Sequence, residues 1–153
     1  ENKAENAILN IYLTPGDRSP DPSQLIASDP FFLMILRPWP EYDIETKLEL
    51  AVRQVSFQRT PLDRFKTLSW MKNVLEKKLT YEGDDVLLYD KDKKVLETSR
   101  TNIFFIQGKQ LITPKDSSVL TGITRQFLLN NQDALGFEVV LKEVYMSIKN
   151  TIT

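Results

Sequence analysis

Asp85-Val-Leu-Leu-Tyr-Asp90 and Lys94-Val-Leu-Glu-Thr98 are joined through the polar residues 90–93 and read as the two arms of a hairpin. A second pair follows at once, with Asn102-Ile-Phe-Phe-Ile106 and Gln110-Leu-Ile-Thr113 flanking Gln107-Gly-Lys109. Hairpins join antiparallel strands directly, whereas a doubly wound sheet needs a helix between successive strands, so this meander decides the fold class. Towards the N-terminus, Leu68, Met71, Leu75 and Leu79 recur at helical spacing, Val74 broadens the apolar face, and Gly83 ends the helix. Before it lie strand-like runs at 7–13, 31–36 and 48–57, the first two separated by a loop that Pro and Gly punctuate through Pro30. Towards the C-terminus, Thr121-Gly-Ile-Thr-Arg125 opens a helix carrying Phe127, Leu128 and Leu135, which Gly136 closes before a last strand at 137–144. Strands, helix, strands, helix, strand is an α+β order.

The 153 residues are 41% hydrophobic and 27% charged, ordinary values for one globular core. Twenty basic against 21 acidic side chains give a net charge of −1, so no overall charge favours nucleic acid or an anionic membrane, and small molecules are the expected partners. The chain contains no histidine and no cysteine. That excludes a Ser-His-Asp triad, a thiol nucleophile, a disulfide and a His- or Cys-ligated metal; no metal site is expected, and acid–base work falls to Lys, Asp, Glu or Tyr. No apolar run reaches the roughly 20 residues of a membrane helix, and the polar start is unlike a signal peptide, so a cytoplasmic setting is the default expectation.

Three features stand out as chemistry. Lys66 lies in Arg-Phe-Lys-Thr-Leu-Ser (64–69) just before the first helix, Glu97 sits among strand formers, and Gly-Ile-Thr-Arg (122–125) opens the second helix. Each has an ordinary reading as well: a solvated lysine, an exposed strand glutamate, and a helix start with Thr121 as its cap. Together they supply an amine, a carboxylate and an anion cradle, the three contacts that pyridoxal phosphate requires. The Lys66 amine would hold the cofactor's aldehyde carbon. Glu97 would pair with the ring nitrogen through a charge-assisted hydrogen bond. The Ile123 and Thr124 N–H groups and the Thr124 hydroxyl would take the phosphate at the positive end of a helix.

From Phe65 to Val144 the sequence resembles the class IV aminotransferases, the fold-type IV pyridoxal phosphate enzymes. The resemblance is carried in order by Lys66-Thr-Leu-Ser, Asn73-Val-Leu75, Asp85-Val-Leu-Leu, Glu97 with Asn102-Ile-Phe104, Leu111-Ile-Thr-Pro114 and Leu120-Thr-Gly-Ile-Thr-Arg125. It implies a D-amino acid aminotransferase-like fold. Residues 1–59 would be the end of the small N-terminal domain and its linker, and 60–153 the larger cofactor domain. It also implies that Lys66 is the Schiff-base lysine, that Glu97 faces the ring nitrogen, that Leu120 packs on the ring, and that Gly122, Ile123 and Thr124 form the phosphate cup. Thr98, Ser99 and Arg100 fall in the segment that lines ring and substrate in relatives.

Relatives carry a longer N-terminal part with a phosphate-binding arginine and continue beyond the region of Tyr145-Met-Ser-Ile-Lys149, so the chain is expected to be a fragment or a reduced relative. Branched-chain enzymes usually place a tyrosine five residues after the lysine, where this chain has Met71. The resemblance therefore favours the branch of 4-amino-4-deoxychorismate lyase, which releases pyruvate and leaves the folate precursor 4-aminobenzoate. A D-amino acid aminotransferase is the alternative, a branched-chain enzyme stands behind it, and a non-catalytic fragment is a further alternative. The family usually forms homodimers, to which Pro38-Trp-Pro-Glu-Tyr42 could contribute.

Overall fold

The computed structural model describes residues 6–18, 21, 27–40, 47–55, 59–80 and 83–147. Contacts divide the chain into two compact units, Glu1–Thr46 and Lys47–Thr153. In the first, β1 (Ala7–Thr14) pairs antiparallel with β4 (Phe31–Pro38), Ala7 facing Pro38 and Thr14 facing Phe31. Inside the expected loop, β2 (Asp17–Arg18) and β3 (Ala27–Ser28) form a short antiparallel ladder. Of the aromatic-proline segment, residues 41 and 42 lie outside the described residues, while Trp39 is exposed.

The second unit holds two three-stranded sheets. In one, β5 (Leu50–Gln54) runs parallel to β6 (Asp85–Tyr89), which pairs antiparallel with β7 (Val95–Thr98). In the other, β8 (Phe105–Gln107) pairs antiparallel with β9 (Gln110–Pro114), and β10 (Glu138–Lys142) runs parallel to β9. Both hairpins form, although β8 begins at Phe105 rather than Asn102 and takes in Gln107, which the sequence placed in the turn. The parallel neighbours come from distant segments that no local pattern announces. Gly83, at φ +74, fits tightly beside the β5 edge, where a Cβ would lie 2.8 Å from the Glu49 carbonyl oxygen.

Other elements differ more from their sequence reading. The strand expected at 48–57 is confined to Leu50–Gln54, and 56–58 lie outside the described residues. The first helix, α1, covers only Met71–Leu79, leaving Leu68 outside it, and presents its apolar residues outward: Met71, Val74, Leu75 and Leu79 are exposed, whereas Asn73 and Glu76 are buried. Polar bonds fix this orientation. Asn73 Nδ2 donates to the Ser99 carbonyl at 3.0 Å, and Arg53 Nε donates to Glu76 Oε2 at 2.7 Å. The second helix starts two residues later than expected and breaks at Asn131 into α2 (Ile123–Asn130) and α3 (Gln132–Leu135), with Gly136 closing it.

The apolar core is built from Leu87, Val95, Ile112, Val144 and Met146, with Tyr89, Ile103, Phe105 and Val140 packed around them. Full burial of such side chains contributes roughly 1.5–3 kcal/mol each. The last described segment joins this core edge-on: Val95 N–H donates to the Val144 carbonyl and Met146 N–H to the Lys93 carbonyl. Core and hairpins together present one end of β7 and the start of α2 to the segment that carries Lys66.

Candidate active site

Lys66 is placed by the turn in front of it. Pro61–Arg64 forms a single 3-10 turn, and Asp63 Oδ2 closes its start by accepting the Thr60 N–H at 2.7 Å. The Thr121 N–H then donates to the Arg64 carbonyl at 3.1 Å, tying the lysine segment to the loop before α2. Lys66 is exposed, and its Nζ stands 3.8 Å from the centre of the Trp70 ring, a cation–π contact that gives the amine one preferred position. Lys66, Arg100, Leu120, Gly122, Ile123 and Thr124 open onto one cavity. Residues almost 60 positions apart in sequence are thus brought to one place.

Glu97 is buried beside that cavity and does not line its wall. Its Oε2 accepts the Leu120 N–H at 3.1 Å and Asn102 Nδ2 at 3.2 Å, while Arg59 Nη1 donates to Oε1 at 2.7 Å. Burial pushes the carboxyl above its ordinary range, and the charge and hydrogen bond of Arg59 pull it back, with help from the Leu120 N–H and the Arg125 charge. Asn102 makes a second bond, donating to the Leu120 carbonyl at 2.9 Å. One amide therefore joins the carboxylate to the loop that precedes α2.

Gly122 is the N-cap of α2, with φ −68 and ψ 144, and no side chain caps the helix. Thr121, the cap that the sequence suggested, is instead held through its N–H by Arg64. The start of α2 is consequently free of a competing side-chain oxygen, which leaves its first-turn N–H groups suited to an anion. A Cβ on Gly122 would collide with Asn102 Oδ1, so any other residue here requires the Asn102 side chain to shift. Thr98 and Ser99 are brought elsewhere: both are buried, and both hydroxyls donate to the Asp85 carboxylate. Arg100 shares the lysine's cavity and also leans on Asp85, with Nε 3.4 Å from Oδ2.

Residues 1–149 match the family model for amino-transferase class IV. The chain belongs to this family. A candidate branched-chain-amino-acid aminotransferase of Methanocaldococcus jannaschii is 30% identical over 148 residues, 91% of this chain and 50% of that one. Among solved structures, a candidate 4-amino-4-deoxychorismate lyase from Legionella pneumophila has a TM-score of 0.76 at 17% identity, over 95% of this chain and 59% of that one. A hypothetical aminotransferase from Mycobacterium tuberculosis, in its PLP-bound form, has a TM-score of 0.74 at 19% identity, over 93% and 52%. The chain thus shares the fold of class IV enzymes and spans about half the length of the relatives it matches.

Two residues that touch Glu97 escape a reading of the sequence alone. Asn102 lies in a stretch that resembles the family, yet its bonds to Glu97 and Leu120 exist only once β7 and the α2 loop meet. Arg59 gives no local signal, because a single arginine before Thr60-Pro61 is indistinguishable from a surface charge. The donor set fits pyridoxal phosphate: an amine in the cavity wall, a buried carboxylate beside it, and a glycine-led helix start against which Asn102 is packed.

Proposed function

We propose that this chain carries the cofactor-binding core of a pyridoxal phosphate-dependent amino acid aminotransferase. The observation that carries this reading is the convergence of Lys66, Leu120, Gly122, Ile123 and Thr124 on one cavity, with Glu97 bonded to Leu120 beside it. Pyridoxal phosphate, when bound, supplies a ring that withdraws electrons from the substrate's α-carbon. Lys66 would hold the cofactor through Nζ, and the same amine would serve as the base that takes and returns a proton beside it. Glu97 would partner the ring nitrogen, Leu120 would pack against the ring, and the Ile123 and Thr124 N–H groups with the Thr124 hydroxyl would take the phosphate. Arg100 in the same cavity is a cation suited to a substrate carboxylate, whereas Thr98 and Ser99 serve the site by fixing that turn on Asp85. Residues 1–59 would then comprise the small domain and a linker whose strand β5 joins the sheet of the cofactor domain at 60–153.

The likeness to the Methanocaldococcus jannaschii protein supports amine transfer to a 2-oxo acid, with branched-chain amino acids the first substrates to try. Met71 favours a second reading, 4-amino-4-deoxychorismate lyase, because branched-chain relatives usually carry tyrosine there. On that reading the product serves folate synthesis. Either activity suits a cytoplasmic enzyme, and no described helix is long and apolar enough to cross a membrane. The exposed apolar side of α1 supports a homodimer.

The test is the absorbance of the chain with added pyridoxal phosphate, before and after borohydride, beside Lys66→Ala. A visible band fixed covalently at Lys66 and absent from the variant is expected. No band, or a band indifferent to Lys66→Ala, would overturn the cofactor reading and leave a non-catalytic member of the family. Conversion to the pyridoxamine form by L-leucine or D-alanine with 2-oxoglutarate selects the aminotransferase, and 4-aminobenzoate release from aminodeoxychorismate selects the lyase.

A further inference from the structure

We propose that Arg59 is a positioning residue that fixes the Glu97 carboxylate as a charged acceptor for the cofactor's ring nitrogen. This rests on the reading of Glu97 given above and adds a residue from outside the segments that carry the family resemblance. The Arg59 and Glu97 side chains are only 6% and 4% exposed, and Nη1 lies 2.7 Å from Oε1. Arg59 Nη1 also reaches the Ser118 carbonyl at 3.4 Å. Ser118 is itself pinned through its N–H to Asp116 Oδ1 at 2.8 Å. One guanidinium nitrogen thereby bridges the Glu97 carboxylate and the Ser118 carbonyl.

A carboxylate has about four lone-pair directions. Three on Glu97 are filled: Oε1 by Arg59, and Oε2 by the Leu120 N–H and Asn102. By count one is left, and on this proposal it goes to the ring nitrogen. A carboxyl this deeply buried would otherwise take up a proton, and a neutral carboxyl that donates its own hydrogen cannot hold a pyridinium. Two charged groups face Glu97, Arg59 from the segment after β5 and Arg125 from α2. Arg125 donates to Thr113 Oγ1 and the Pro114 carbonyl, whereas Arg59 donates to Glu97 itself and is the cation in contact. Arg59 does for the ring nitrogen's partner what a surrounding hydrogen-bond shell does for a metal ligand: it sets charge and direction.

The experiment follows the Glu97 side-chain carboxyl by carbon-13 NMR in glutamate-labelled chain without cofactor, and pyridoxal phosphate affinity in parallel. In the unaltered chain the carboxylate is expected to be ionised at neutral pH; a protonated Glu97 there would overturn the proposal without any variant. In Arg59→Gln the titration midpoint should rise, and pyridoxal phosphate binding should weaken about tenfold, as loss of one charge-assisted bond implies. Arg59→Lys, which keeps the cation and is the milder change to the fold, should restore much of both. A folded Arg59→Gln chain with an unmoved midpoint would reduce Arg59 to a packing role. If the unaltered chain titrates as expected but takes up no pyridoxal phosphate, the cofactor reading fails while the Arg59–Glu97 coupling stands.

Discussion

Gly122 and Asn102 are adjusted to each other. The glycine's backbone angles are open to any residue, so its requirement is spatial: a Cβ there would drive into the Asn102 amide. Gly122→Ala should therefore displace Asn102, loosen its bonds to Glu97 and Leu120, and cost about 1–3 kcal/mol, as overpacked sites do. Urea unfolding measures this, and a variant as stable as the parent would show that Asn102 has room to move. At this scale much of the site is legible in sequence, because an amine, a carboxylate and a glycine-led helix start have few joint uses. Arg59 is not legible, since its role depends on a carboxylate 38 positions away.

The first helix shows what periodicity does and does not tell. Apolar spacing locates α1, but its apolar side is exposed and its buried side carries Asn73 and Glu76. Glu76 is fully buried, and its partner Arg53 is 31% exposed at the side chain. Glu76→Gln should cost about 1–3 kcal/mol, less than for a pair buried on both sides because water reaches the arginine. Leu75→Ala, at a position 46% exposed, should cost less than about 1 kcal/mol. Denaturant midpoints of the two variants decide the matter, and a larger loss in Leu75→Ala would mean that the helix buries its other face. The hairpins are the opposite case. Their partners are neighbours in sequence, so turn and strand residues sufficed.

For the whole molecule, pH reveals two opposed groups of carboxylates. Burial alone would raise Asp85, but the Ser99 hydroxyl, the Val86 N–H, the Thr98 hydroxyl and the Arg100 charge outweigh it and hold the group below its ordinary range. In Asp116, burial is likewise outweighed by the Ser118 hydroxyl and N–H and by Lys94. Groups lowered in this way stabilise the fold above the unfolded value of about 3.9, and that stabilisation is lost as the pH falls through their folded values. Glu97, raised by burial against the pull of Arg59, acts in the other sense, and its contribution is lost as the pH rises through its folded value. Unfolding free energy measured from pH 7 to 3 should drop at the acid end, and Asp85→Asn should flatten that drop; an unchanged slope would remove Asp85 from the account. Self-association belongs to this scale too. If the α1 surface joins two copies, Met71→Lys with Leu75→Lys should shift the sedimentation of a dimer to that of a monomer without unfolding it.

The sequence by itself determined the α+β order, both hairpins, the two helix sites and the family, because each follows from turn chemistry, periodicity or an ordered set of motifs within short reach along the chain. Only the tertiary structure decided which strands lie parallel, which side of α1 is buried, and which donors surround Glu97. Those depend on contacts between segments tens of residues apart, where a polar pair such as Arg53–Glu76 or Arg59–Glu97 can outweigh the local apolar pattern once both partners leave water together.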